Sequence, residues 1–329
     1  MLKLKYLFDN RDLAMMLLNY WDFDQDSSEL LGHYRISSNA VYPFKTNGKI
    51  NFLRFTPLQE KSRMQLQAEL DFIHYLSGCG YPAATLVRSK DRQQLVQAVT
   101  PWGEYLAVVF GGVSGRQLEK LEYSDELYYG YGKALGRLHL LSQDYQPLSP
   151  GRNSWEQQLI RTRDILTCHS APASSVMEVD ILLGFLRKID ITEDNYGLIH
   201  YDFELDNVFF DERRQAFHVI DFDDCVYHWL AMDIERTLNS MTCELSPGLH
   251  QQAKTMFLNG YRTEHAFTTE MEKLLPVFHR YAAVHSYARC LHATADTWQN
   301  EPEWMVNLRA YLDQLNRQNL ESFGKPIRL

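Results

Sequence analysis

Residues 197–233 read GLIHYDFELDNVFFDERRQAFHVIDFDDCVYHWLAMD. Within them His200, Asp202 and Asn207 fit H-x-D-x-x-x-x-N, and fourteen positions after Asn207 the segment HVIDFDD presents Asp221, Asp223 and Asp224. Short apolar runs flank both acidic stretches: Leu198 and Ile199 ahead of the first, Val208 to Phe210 and His218 to Ile220 around the second. Runs of this length between polar turns read as strands. The order is therefore strand, acidic loop, hairpin, acidic loop, and the hairpin brings the side-chain oxygens of both loops to one end.

Phosphoryl transfer needs such a layout, because the protein does little bond-making and mostly places a nucleotide, a divalent metal and an acceptor hydroxyl. Mg²⁺ takes hard oxygen ligands and keeps several waters, so one carboxylate and one amide oxygen, completed by phosphate oxygens, are a sufficient protein contribution. Asp221 and Asn207 are the expected ligands, with Asp223 joining a second metal. Asp202 is expected to face the acceptor hydroxyl and take its proton. His200 reads as a brace for the loop backbone. Asp and Asn are also ordinary loop residues, since they hydrogen-bond nearby backbone; a second acidic loop at hairpin distance is what argues for a site.

HYDFELDNVFFD, then HVIDFDD, then LAMDIERTL resembles the aminoglycoside phosphotransferase and choline kinase-like family. The resemblance implies an α+β, bilobal protein-kinase-like fold, with a small N-terminal antiparallel-sheet lobe carrying a helix and a larger, mainly helical C-terminal lobe. It implies Asp202 as catalytic base, Asn207 and Asp221 as metal ligands, and Asp233 as the structural Asp opening the next helix. ATP and Mg²⁺ are the implied cofactors. The acceptor, whether aminoglycoside, choline, homoserine or sugar-like, is not chosen by these residues.

At 329 residues and 45% hydrophobic content the chain can bury a large core, more readily as two lobes than one. The division is expected at residues 1–110, a nucleotide-binding lobe, and 111–329, a catalytic and substrate-binding lobe. A net charge of −9 argues against a nucleic-acid partner. Five scattered cysteines without a C-x-x-C pair suit a reducing compartment. No apolar run is long enough for a signal peptide or a membrane span, so a cytoplasmic protein with no membrane partner is expected. Oligomeric state is left open.

Ahead of the deciding stretch, LAMMLLNYW reads as a helix, and LLGHYRI, NAVYPFKT and KINFLRF as strands, with Asn47-Gly48 a strong hairpin turn. SSNA, containing Ser38, lies where a protein kinase carries its Gly-rich phosphate loop; it is read either as a phosphate contact or as a simple turn. Arg54 occupies the place where the family has a strand cation for the α- and β-phosphates, and Glu69, on a helix of spacing Leu66, Leu70, Ile73 and Leu76, is its expected partner. Arg in place of Lys changes a point charge to a planar fork. Beyond two strands about Pro101-Trp102-Gly103, Phe110 to Val113 mark the expected hinge, where backbone groups of Phe110 and Val113 would read the adenine edge. Gly111 and Gly112 would allow close approach of the base, or make a turn.

From Ser124, a plausible cap, the chain turns helical. His139 reads as a packing or capping residue. WEQQLIRTRDIL and MEVDILLGFLRKI read as helices about the loop SAPASS, and relatives of this kind suggest Trp155 and Arg163 as substrate contacts. His228 and Trp229 read as lining the approach or as core. His279, His285 and His292 fall at intervals that keep them off one face, which argues against a metal site there. Glu204, Asp206, Asp223 and Asp224 offer acidity for a cationic acceptor. The expected activity is transfer of the γ-phosphoryl group of ATP to a hydroxyl of a small molecule. A protein serine/threonine kinase of the same fold, with which GRQLE has a short similarity, and a non-catalytic nucleotide-binding protein are the alternatives.

Overall fold

The computed structural model describes residues 3, 10–36, 39–148, 150–297 and 299–328. The N-terminal region holds α1 (Arg11–Leu18), α2 (Ser27–Leu30), β1 (Arg35–Ile36), β2 (Ala40–Thr46), β3 (Lys49–Pro57), α3 (Arg63–Gly78), β4 (Leu86–Val87), β5 (Val96–Thr100) and β6 (Gly103–Gly111). The strands form one antiparallel sheet in the order β1-β2-β3-β6-β4, with β5 also on β6. Asn47 and Gly48 make the expected two-residue turn, both at positive φ (51° and 73°), and pair Thr46 with Lys49. Of LLGHYRI only the last two residues are strand; Leu30 ends α2 instead.

Both faces of this sheet are covered, which is why β6 reads as an unbroken apolar run. Leu53, Phe55, Ala107 and Val109 pack with Leu17 and Trp21 of the α1 region. On the other face Leu106 and Val108 pack with Leu66 and Leu70 of α3. Arg54, between Leu53 and Phe55, therefore shares the α3 face. Ser62 caps α3 through a capping box with Gln65.

The remainder runs β7 (Arg116–Gln117), α4 (Asp125–Gln143), α5 (Trp155–Cys168), α6 (Ala173–Leu186), β8 (Tyr196–Ile199), β9 (Val208–Asp211), β10 (Ala216–Val219), β11 (Val226–Trp229), α7 (Ala231–Glu244), α8 (His250–Tyr261), α9 (Thr269–Lys273), α10 (Leu275–Thr294) and α11 (Glu303–Leu320). Ser124 caps α4 as expected, accepting from Leu127 N at 3.2 Å. α6 begins at Ala173, so half of SAPASS is helix. Its core joins Tyr131, Leu135, Leu198, Trp229, Ile234 and Phe278, with Trp155 and His228 also buried in it. α4 and α8 touch backbone to backbone: a Cβ on Gly132 would lie 1.8 Å from the Phe257 carbonyl oxygen, and one on Gly260 1.8 Å from that of Tyr129. No helix among the described residues is long and apolar enough to cross a membrane.

Two small antiparallel ribbons carry the deciding stretch: β9 pairs with β10 and β7, and β8 pairs with β11. The two acidic loops lie between them.

Candidate active site

The first acidic loop leaves β8 at Ile199 and is pinned by Asp233, which is fully buried at the start of α7. His200 N donates to Asp233 Oδ2 at 2.8 Å and Tyr201 N to Oδ1 at 2.6 Å. Two backbone donors thus hold Tyr201 at φ 69°, a conformation that side-chain-bearing residues rarely adopt. Asp233 also meets His139 Nε2 at 3.1 Å, and His139 Nδ1 lies 2.8 Å from the Tyr261 hydroxyl.

His200 joins the two loops. Its Nδ1 accepts from Asp202 N at 3.2 Å, so the proton sits on Nε2, which donates to the Ile220 carbonyl at 3.0 Å. Burial lowers its pKa against the pull of Asp233, keeping the neutral ring this pattern requires. Ile220 N in turn donates to the Asn207 carbonyl at 3.0 Å. Asn207 is thereby set beside Asp221, the next residue. Asn207 Nδ2 donates to the Asp202 carbonyl at 3.0 Å and to Asp202 Oδ2 at 2.9 Å, leaving the amide oxygen as its end for a ligand.

Asp202, Asn207 and Asp221 line one cavity of about 50 Å³ together with Arg35, Asp206, Asp223 and Asp224. Burial raises the Asp202 pKa, the Asp224 charge adds to this, and Arg236 (Nη2 to Oδ1, 3.5 Å) opposes it. Asp221 stands at φ 62° with 41% of its side chain accessible in the cleft. Crowding by surrounding protein and the neighbouring Asp223 charge push its carboxyl up to about 7, against Arg54 at 3.7 Å.

The acidity that the sequence offers is already matched by cations. Asp223 takes Lys61 and, at 3.0 Å, Asn39 Nδ2; Asp224 takes Arg289 at 2.7 Å; Glu204 takes Arg236; Asp206 takes Arg35 at 3.2 Å. Burial would raise the Asp223 carboxyl, but Lys61 and Arg54 carry it down to about 2. Asp224 is likewise carried well below the usual carboxylate range, burial being outweighed by Arg289. Arg152 holds the backbone of this second loop, donating to the Asp223 carbonyl at 2.6 Å and the Phe222 carbonyl at 3.0 Å.

On the sheet side, Arg54 and Glu69 form the expected pair as a two-pronged fork, Nη1 to Oε1 at 2.8 Å and Nη2 to Oε2 at 2.7 Å, both buried. The Arg54 guanidinium also lies 4.9 Å over the Phe110 ring. Gly111 N and Gly112 N donate to the carbonyls of Thr85 and Ile50 at 2.8 and 3.0 Å. Any Cβ there would crowd Thr85 Oγ1 (2.7 Å) or the Ile50 oxygen (2.9 Å). These two glycines serve strand contact, and Val113 lies two residues past the end of β6. Ser38 lies outside the described residues.

Other expected contacts fall elsewhere. Trp155 packs at a tilt against Trp229 in the core, ring centroids 5.1 Å apart, and Arg163 faces Asp180 on the surface at 3.6 Å. α5 turns Gln158, Arg161 and Thr162 toward the cleft instead. His228 is buried among Trp229, Phe278 and Tyr281. His279, His285 and His292 meet Glu235 (2.7 Å), Thr162 (3.0 Å) and Glu60 (3.5 Å) respectively, three separate places. Sequence reasoning missed Lys61, Arg152 and Arg236; only Arg236, one turn after Asp233, carried a local signal.

A model of the phosphotransferase enzyme family matches residues 36–267. Amicoumacin kinase of Bacillus subtilis (strain 168) is 23% identical over 291 residues, covering 84% of this chain and 83% of the relative. Among solved structures, the amicoumacin kinase hAmiN in complex with AMP-PNP, Ca²⁺ and Ami superposes with a TM-score of 0.76 at 22% identity, over 99% of this chain and 97% of the other. A microcompartment-associated aminopropanol kinase superposes with a TM-score of 0.66 at 20% identity, over 95% and 98%. The bilobal, kinase-like architecture is common to all three chains.

Proposed function

The chain belongs to the phosphotransferase enzyme family, and from that premise we propose that it moves the γ-phosphoryl group of ATP to a hydroxyl of a small molecule. The observation that carries this reading is the joining of two acidic loops by His200 and by the Asn207–Ile220 backbone bond. That joining turns Asp202, Asn207 and Asp221 into one cavity.

Asp202 is the base. Its carboxylate is held by Asn207, and burial raises its affinity for a proton, as proton transfer from an alcohol requires. The hydroxyl proton goes to Asp202 as the new O–P bond forms and the bond between the γ-phosphorus and the β-γ bridging oxygen breaks. Arg54, aimed by Glu69, meets the phosphates. The backbone at Phe110 and Val113 completes the nucleotide site, and Ser38, which lies outside the described residues, is kept as a phosphate contact from the sequence alone.

A divalent metal, Mg²⁺ in this reading, fits the donor set, because Asp221 opens to the cleft and the Asn207 amide oxygen is free of its own amide's bonds. When bound it supplies charge neutralisation for the phosphates. Among the described residues no three His, Cys, Asp or Glu side chains converge on a metal by themselves. Asp223 holds Lys61 and Asn39 on Oδ2, so a third oxygen from it would be Oδ1. The related structure with AMP-PNP and Ca²⁺ supports a nucleotide and a divalent ion together.

We place the nucleotide lobe in residues 1–110 and the catalytic and acceptor-binding lobe in 111–329. The protein is assigned to the cytoplasm, where its five unpaired cysteines would stay reduced. An ATP-consumption screen over hydroxylated metabolites, with Asp202→Ala as the blank, tests the reading. Acceptor-dependent consumption abolished by the substitution supports it, and consumption equal in both proteins contradicts it.

A further inference from the structure

A second cavity of about 260 Å³ opens beside the acidic one and shares Asp223 and Asp224 with it. Its walls come from the loop before α3, from α5 and from α10. It thus adjoins the cavity that holds Asp202.

The charge of this space is the opposite of what a cationic acceptor needs. Four side-chain cations, Lys61, Arg152, Arg161 and Arg289, line it against three carboxylates, Glu60, Asp223 and Asp224. Each carboxylate is already engaged: Asp223 by Lys61, Asp224 by Arg289 and Glu60 by His292 at 3.5 Å. A second cationic ligand would have to share a carboxylate that already faces one of these partners. Arg161, exposed on α5, lines the cavity and takes part in no salt bridge among the described residues.

One neutral acceptor of hydrogen bonds is fixed in the same wall. Thr162 Oγ1 donates its single proton to the Gln158 carbonyl at 2.8 Å, so at 3.0 Å from His285 Nδ1 it must accept. The His285 proton is therefore on Nδ1, and Nε2 offers a lone pair. Burial and the adjacent Arg289 push this imidazole down to about 3, which keeps it neutral.

We propose that this cavity is the acceptor site and that it selects hydroxylated small molecules bearing a carboxylate, which Arg161 receives, with a donor group of the same molecule turned to His285 Nε2. The proposal depends on the phosphotransferase reading above, and it replaces the acidic subsite for a polycationic acceptor that Glu204, Asp206, Asp223 and Asp224 suggest in the sequence.

The test uses the full chain with Mg²⁺ and six probes: L-serine, L-homoserine and glycerate against ethanolamine, choline and kanamycin. Binding to the AMP-PNP complex is read by NMR line broadening of each probe, and turnover by ATP consumption. Binding of the carboxylate probes, weakened about tenfold by Arg161→Gln and partly recovered in Arg161→Lys, is the expected result. Carboxylate binding without turnover keeps the charge assignment and counts against phosphotransfer. Binding or turnover confined to the amines overturns the charge assignment and leaves phosphotransfer standing. Binding of neither class, or a carboxylate affinity unmoved by Arg161→Gln, also overturns it.

Discussion

Removing Glu69 isolates what the strand cation depends on. In Glu69→Ala the Arg54 guanidinium loses two charge-assisted bonds of 2.8 and 2.7 Å at a site where both side chains are almost fully buried. Breaking a buried pair by deleting one member costs about 3–5 kcal/mol, because the remaining charge stays desolvated. Here Asp221, 3.7 Å from Arg54, partly takes over, which sets the expectation at the lower end, about 3 kcal/mol. With a urea slope of about 3 kcal/mol/M for a chain of this size, the unfolding midpoint falls by about 1 M. The same takeover swings the guanidinium off its aim. A lost charge-assisted contact of about 2 kcal/mol raises the KM for ATP about thirtyfold. Glu69→Gln, which keeps the volume and one acceptor, falls between. Urea unfolding followed by circular dichroism, with ATP kinetics on the same preparations, reads both effects. A Glu69→Ala protein with an unchanged midpoint and an unchanged ATP KM would refute the reasoning, since Arg54 would then be positioned by something else.

Asp233→Ala orphans the backbone donors of His200 and Tyr201 and frees a positive-φ residue. At about 1–3 kcal/mol per buried unsatisfied donor, unfolding free energy should drop by about 3 kcal/mol, with loss of ATP consumption. Gly132→Ala sets a methyl 1.8 Å from the Phe257 carbonyl, and the forced separation of α4 and α8 should cost about 3 kcal/mol or more in the same urea assay. His279 titrates above the ordinary imidazole value because of its bond to Glu235, with burial opposing. A raised folded-state pKa gives stability that is full below the unfolded value of about 6.5 and is lost as pH rises through the folded one. NMR titration should show the His279 midpoint falling in Glu235→Gln, and stability less pH-dependent there between neutral and mildly acidic conditions.

The hairpin at Asn47 and Gly48 and the cap at Ser124 were legible because each is a local pattern with one conformational solution; the brace at His200 was read from its place in the loop, and that at Asp233 through the resemblance, while their partners lie 20 to 33 residues away. The pairing of Arg54 with Glu69 was legible through the resemblance together with helical spacing. Arg152 and Lys61 were not, because each lies in a polar connector and acquires its role only when the chain brings residue 223 against it. Trp155 opens a helix and reads as a contact, yet the α5 face that holds it packs on Trp229. The cleft is reached three and more residues later, by Gln158, Arg161 and Thr162. Composition near Asp202 suggested an acidic subsite for the same reason: the cations that neutralise it, Arg35, Lys61, Arg236 and Arg289, come from four distant segments.

Whether Asn207 and Asp221 share a metal is tested most directly by titrating Mn²⁺ into the AMP-PNP-saturated protein and following free ion by electron paramagnetic resonance. The site described predicts saturable binding that is weakened at least tenfold, in excess of AMP-PNP alone, by either Asp221→Asn or Asn207→Ala. Equal Mn²⁺ uptake by all three proteins would contradict it.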